Sequence, residues 1–142
     1  MKFCMARLSP SLIGQIMAEA SLDASEDYMR NTYNEYVERR NTLIDGLNRI
    51  EGVYAPIPMG AFYTLAKLPI DDSDKFCEWC LKDFRHNGAT IMLAPGIGFY
   101  FDEKLGKQLV RIAFSLPKEE LQTSLEILKE ALKAYNNERN KI

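Results

Sequence analysis

The run Val110-Arg111-Ile112-Ala113-Phe114-Ser115 alternates in character without a break, and no other feature constrains the fold as much. Side chains of an extended strand point to opposite faces in turn, so Val110, Ile112 and Phe114 share one face. Arg111 shares the other with the small residues Ala113 and Ser115. The first face suits a core, and the second leaves room for a ligand beside a cation. A guanidinium presents a planar fork of donors that matches a carboxylate two bonds at a time, and it keeps its charge at any working pH. Arg111 is the leading candidate site residue, a reader of small acids, although an arginine without further context serves more often in a surface or structural salt bridge.

The remaining pattern alternates helical stripes with short strands. Ser9-Pro10 followed by Leu12, Ile13, Ile16, Met17 and Ala20 predicts a helix with Ser9 as N-cap and proline in its first turn. A longer helix starts near Ser25-Glu26-Asp27 and carries Met29, Tyr33, Tyr36, Leu43, Leu47 and Ile50 on one stripe, which Arg40 joins. Glu51-Gly52 ends it. Val53 to Ala55 and Gly60 to Lys67 predict strands, separated by Pro56 and Pro58. Asp71 to Asp74 caps a helix over Lys75 to His86 that Asn87-Gly88 closes, and Ala89 to Ala94 predicts a buried strand. A loop over Pro95 to Gly106 and the arginine strand over Leu109 to Leu116 follow. Pro117 opens a last helix with a stripe of Leu121, Leu125, Leu128, Leu132 and Tyr135. The expected fold is α+β, two layers, with a mixed or antiparallel sheet of three to four strands packed by helices.

At 142 residues the chain has the size of one domain, and a formal net charge of −2 leaves no electrostatic footprint for nucleic acid or an anionic membrane. The N-terminus turns charged at Arg7, too early for a secretory signal, and no stretch reads as a membrane span. Three cysteines without disulfide-like regularity fit a reducing compartment, so cytoplasm is the expectation. Cys77-Glu78-Trp79-Cys80 has redox spacing but falls inside a predicted helix, where two sulfurs three residues apart more simply pack on one face. Adding Cys4 and His86 completes a zinc ligand count at separations unlike the common structural sites, and no metal is expected. Gly96-Ile97-Gly98 lacks the third glycine and receiving helix of a dinucleotide site and reads as a tight loop. His86, the only histidine, reads as a helix C-terminal residue favoured by the helix dipole, and Tyr33, Tyr36 and Tyr135 read as core or interface residues.

Taken in order, several segments resemble the C-terminal part of pyridoxal-phosphate-dependent aminotransferases of the aspartate aminotransferase family, class I/II with fold type I. They are Ser9-Pro10 with Gln15, Arg39-Arg40-Asn41 to Leu47, Glu51-Gly52-Val53, and Pro58-Met59-Gly60-Ala61-Phe62-Tyr63. Thr90 to Gly96, Phe99, Gly106 and Val110-Arg111-Ile112-Ala113-Phe114 continue the series, which ends in a leucine-rich helix. One departure stands at Tyr100, where family members commonly have glycine.

The resemblance implies that Arg111 grips the α-carboxylate of an amino-acid substrate, with Gly60 and Phe62 in the pocket wall. It places Arg7 to Ser9 just after the coenzyme-lysine segment, near a dimer interface. It divides the chain into residues 1–24, a remnant of the connection to a large domain through the N-terminal helix, residues 25–137, the small domain, and residues 138–142, a frayed tail. None of the lysines stands in the family's coenzyme setting, so the resemblance further implies a fragment, inactive by itself and binding no pyridoxal 5'-phosphate. In the full-length enzyme that coenzyme, the missing N-terminal large domain, amino-acid and 2-oxo-acid substrates and a homodimer partner are expected. Two alternatives stand beside it: a self-contained amino-acid-binding or regulatory module, and the same domain of a pyridoxal-phosphate lyase.

Overall fold

The computed structural model describes residues 10–139. The expectations for Ser9 as a cap, for Arg7 to Ser9 and for residues 140–142 of the tail fall outside them. The chain divides into two compact units, Met1–Glu35 and Tyr36–Ile142.

In the first unit, α1 spans Leu12–Ser21. Ser11 is its N-cap, its hydroxyl accepting from the Gly14 amide at 3.2 Å, so Pro10 lies before the cap rather than in the first turn. Leu12, Ile13, Ile16 and Met17 are all more than half exposed. A second helix, α2, spans Glu26–Asn48, and its first turn is held by the Ser25 hydroxyl, which accepts from the Tyr28 amide. The long stripe expected on α2 is buried only at its C-terminal end, at Leu43, Ile44 and Leu47. Met29, Tyr33 and Tyr36 are exposed, because helical periodicity marks an apolar face without saying how much of it is covered.

The second unit contains a three-stranded antiparallel sheet in the order β1-β3-β2, with β1 at Tyr63–Lys67, β2 at Ala94–Pro95 and β3 at Leu109–Ala113. Its other helices are α3 at Ser73–Lys82, α4 at Glu103–Gly106 and α5 at Lys118–Arg139, with a 3-10 turn at Ile97–Phe99. Thr64 and Ala66 of β1 and Val110 of β3 are buried on the inner face, and Phe114 beyond β3 joins them. The end of α2 and the buried stripe of α5, namely Leu121, Ile127, Leu128, Ala131, Leu132 and Tyr135, belong to the same core. Full burial of Phe76 and Phe114 stabilises the fold by about 2–3 kcal/mol apiece. The architecture is the expected two-layer α+β.

Several boundaries differ from expectation, each for a local reason. Val53 to Ala55 is a single bridge, Tyr54 to Lys67, because the Asn48 amide bonds both backbone groups of Ala55 at 2.9 Å and takes them from any ladder. The strand expected from Gly60 starts at Tyr63, since Ala61 is left-handed at φ 58°. The third helix starts earlier, where the Asp72 carboxylate accepts from the Asp74 and Lys75 amides. It ends at Lys82, and Asn87-Gly88, at φ 52° and 78°, forms a two-residue hairpin pairing His86 with Ala89. His86 therefore sits in a hairpin and not at a helix C-terminus. The strand expected over Ala89 to Ala94 pairs only at Ala94–Pro95, and Thr90 instead donates to the Cys80 carbonyl of α3.

Residues 138 and 139, which the resemblance assigns to the tail, are the last two of helix α5. Helix α5 continues to Arg139, where Glu138 accepts from the Trp79 indole at 3.1 Å and Arg139 lies 3.4 Å from the Asp71 carboxylate. The Tyr135 hydroxyl donates to that carboxylate at 2.9 Å. Burial raises the Asp71 pKa, but the Tyr135 bond, backbone hydrogen bonds and the Arg139 charge together outweigh it and hold the carboxyl below its ordinary value. Burial, then the bond to Asp71, pushes the Tyr135 phenol up to about 12.

A folded pKa above the unfolded one means that Tyr135 stabilises fully below pH 10.0 and loses this as pH rises through about 12. Asp71 works in the opposite sense, its contribution being present above the unfolded carboxyl value and lost as pH falls through the depressed folded one. Thermal unfolding between pH 10 and about 12 should therefore show Tm falling more steeply for the native chain than for Tyr135→Phe, which has no proton to lose. Parallel curves would remove this pair from the stability account. No helix among the described residues is long and apolar enough to cross a membrane.

Candidate functional site

Arg111 stands in the middle of β3 on the outer face of the sheet, in register with Leu65 of β1 on one side and Ala94 of β2 on the other. Its side chain is exposed, and among the described residues it has no ion-pair or hydrogen-bond partner. Two aromatic rings approach it: the guanidinium carbon lies 5.4 Å from the ring centre of Tyr63 and 5.4 Å from that of Phe99. A cationic group with its donors uncommitted is available for an incoming anion.

Arg111 is among the residues that line an open cleft of about 640 Å³. Arg111, Ala113 and Ser115 line one side, and Thr90 to Ala94 line the other where that segment leaves the ladder. Ile112, Leu43 and Leu121 add apolar wall, with Ser124 beside them. Ala113 and Ser115, the small residues that alternate with Arg111, line the cleft together with it.

Gly60 and Phe62 do not line this cleft. Gly60 is exposed with nothing within 4 Å of where a Cβ would stand. Phe62 is 55% exposed and meets the Tyr63 ring edge-on at 6.0 Å, and its carbonyl accepts from the Phe114 amide at 2.9 Å. Phe62 therefore touches the residue that touches Arg111. Sequence reasoning overlooked Tyr63 and Phe99 as neighbours of the guanidinium. Strand alternation puts Tyr63 on the outer face of β1, but nothing in the spacing aims the ring of a loop phenylalanine at a strand arginine.

Phe99 is held near β3 by close backbone packing. The Gly96 amide donates to the Leu109 carbonyl at 2.7 Å, and a Cβ on Gly96 would meet that oxygen at 2.6 Å. A Cβ on Gly106 would meet the Ile97 Cα at 2.5 Å and the Gly96 carbonyl oxygen at 2.6 Å. Buried Ser73 donates to the Gly106 carbonyl at 3.2 Å. Gly96 and Gly106 serve close approach of one chain segment to another, whereas nothing lies within 4 Å of a Cβ on Gly98.

The cysteine pair takes no part in this site. Cys77 and Cys80 are buried on α3, as packed helix residues. Burial, then the Asp74 charge, pushes Cys77 up to about 11, and burial, then Cys77, pushes Cys80 up to about 12, so both thiols stay protonated at neutral pH. Among the described residues no group of three or more His, Cys, Asp or Glu is placed to hold a metal ion.

No family model matches the chain. It is 27% identical over 136 residues to an aspartate aminotransferase of Rhizobium meliloti, covering 87% of this chain and 31% of that protein. It is 30% identical over 122 residues to an aspartate aminotransferase of Pyrococcus horikoshii, covering 84% of this chain and 28% of the relative. The fold superposes on the alanine aminotransferase of Pyrococcus furiosus with a TM-score of 0.75 at 26% identity, over 94% of this chain and 33% of that one. The chain spans about a third of the length of these relatives. With the two-layer fold, the arginine strand and these matches together, the chain belongs to the aspartate aminotransferase family of pyridoxal-phosphate enzymes, fold type I, and corresponds to its C-terminal third, the small domain.

Proposed function

We propose that this domain serves an aminotransferase that moves an amino group between an amino acid and a 2-oxo acid, and that Arg111 binds the substrate α-carboxylate. The observation that carries the reading is an exposed guanidinium with no ion-pair partner among the described residues, at the edge of an open cleft in a small domain of this family. A carboxylate arriving there meets donors that no protein acceptor has already engaged. A bidentate contact would fix the orientation of the amino acid as well as its position. Positioning of that kind lowers the barrier by removing rotational freedom before the reacting bonds change.

The cleft does not itself fit pyridoxal phosphate. Its lining includes no lysine to bond the coenzyme aldehyde and no carboxylate to hold the ring nitrogen protonated. The coenzyme therefore belongs with residues other than those around Arg111, and the reading assigns it to a large domain that faces this one. The part given to this chain is substrate recognition through Arg111.

The test is amino-group exchange by the full-length protein supplied with pyridoxal phosphate, followed as 2-oxo acid formed from an amino acid. Exchange that depends on the coenzyme is expected, together with no exchange by the 142-residue chain alone. A full-length protein that binds amino acids without exchanging their amino group would refute the reading.

A further inference from the structure

We propose that Tyr63 and Phe99 are positioning residues that hold the Arg111 guanidinium in the orientation in which it meets a carboxylate. The inference rests on the reading of Arg111 given above. A long side chain exposed on a sheet face samples many rotamers, and ordering it on binding opposes affinity. Among the described residues Arg111 has no hydrogen-bond acceptor or ion-pair partner, so no such bond restrains it. What restrains it is the pair of rings, each centred 5.4 Å from the guanidinium carbon. Ring faces attract the cation and accept its flat surface while leaving the in-plane donors open. A carboxylate in the same place would hold the arginine more firmly but would occupy the donors that the substrate needs.

The two rings come from opposite sides of β3 in the sheet order. Tyr63 begins β1, and Phe99 ends the 3-10 turn that follows β2. Neither ring is spent on the core, Tyr63 being 41% exposed and Phe99 54%. Phe99 nevertheless has a fixed origin, because its loop is packed against β3 through Gly96 and Gly106 where no Cβ fits. An exposed aromatic on a loop anchored in this way has a definite place to point, and the place is Arg111.

The experiment compares Phe99→Leu and Tyr63→Leu with the ring-retaining Phe99→Tyr and Tyr63→Phe. In the full-length enzyme loaded with coenzyme, each leucine variant is expected to raise KM for the amino acid by about three- to tenfold with a smaller change in kcat. That range corresponds to one ring's attraction for an exposed cation plus the cost of ordering the side chain. The ring-retaining variants are expected to restore KM. A second readout uses the 142-residue chain. The Arg111 Nε–H resonance, assigned through Arg111→Lys, is expected to be displaced by ring currents and to move toward the free-arginine position in the leucine variants.

Leucine variants silent in both readouts, with Arg111→Ala still impaired, would overturn the positioning role alone. An unaffected Arg111→Ala enzyme would overturn the carboxylate reading and this proposal with it. The half-exposed positions keep loss of folding from mimicking the effect, and unfolding temperatures of the four variants check this directly.

Discussion

Replacing Arg111 with alanine in the full-length, coenzyme-loaded protein should lower kcat/KM for amino acids by about two orders of magnitude or more. A hydrogen bond to a charged group contributes about 1.5–3 kcal/mol, and removing the planar fork together with its charge leaves the substrate carboxylate facing a cleft with largely apolar walls. Both constants should suffer, with KM rising as binding weakens and kcat falling as the bound amino acid loses its orientation. Arg111→Lys should recover only part of the deficit, since an ammonium supplies the charge without the planar fork. Stability should hardly change, because the side chain is exposed and has no ion pair among the described residues. Steady-state kinetics against unfolding temperature separates the two effects, and unaltered kinetics would take Arg111 out of the site.

Gly106→Ala should be the most destabilising of the small substitutions near the site, by about 3 kcal/mol, the upper part of the range for overpacking. The added Cβ would stand 2.5 Å from the Ile97 Cα and 2.6 Å from the Gly96 carbonyl oxygen. Those atoms are backbone, so no rotamer change relieves the clash. Relief requires moving the 3-10 turn away from α4, and with it the Phe99 ring and the Ser73 bond to the Gly106 carbonyl. The expected result is a Tm lower by roughly 10 °C, accompanied by a weaker grip on amino acids. Gly60→Ala is the control, because nothing lies within 4 Å of its Cβ position. Equal unfolding temperatures for the two variants would show that the loop yields freely.

Much of the fold was legible because it is local. Ser25, Asp72 and the apolar stripe of α5 announce helix starts and faces through short-range hydrogen bonds and periodicity. The alternation around Arg111 announces which face of β3 is buried. The differences arose where a hydrogen bond involving a side chain tied an expected strand to a neighbouring helix. Asn48 captured the backbone of Ala55, and Thr90 bonded across to Cys80, so two plausible strands shrank to a bridge and a two-residue ladder. Asn87-Gly88 was a different kind of miss. Its sequence fits a helix stop and a tight hairpin equally, and the pairing of His86 with Ala89 selected the hairpin.

The sequence by itself determined the main helices, the arginine strand and the identity of the carboxylate-reading candidate, because capping, spacing and side-chain alternation act over a few residues, while the family showed in a resemblance of motifs along the chain. It did not announce the 3-10 turn and short helix within Pro95 to Gly106. Only the tertiary structure decided that Arg111 is exposed at an open cleft and that the rings of Tyr63 and Phe99 lie against it. It alone revealed that Gly96 and Gly106 are glycine for lack of room between chain segments. Those facts depend on distances between residues far apart along the chain, which packing sets and no local pattern encodes.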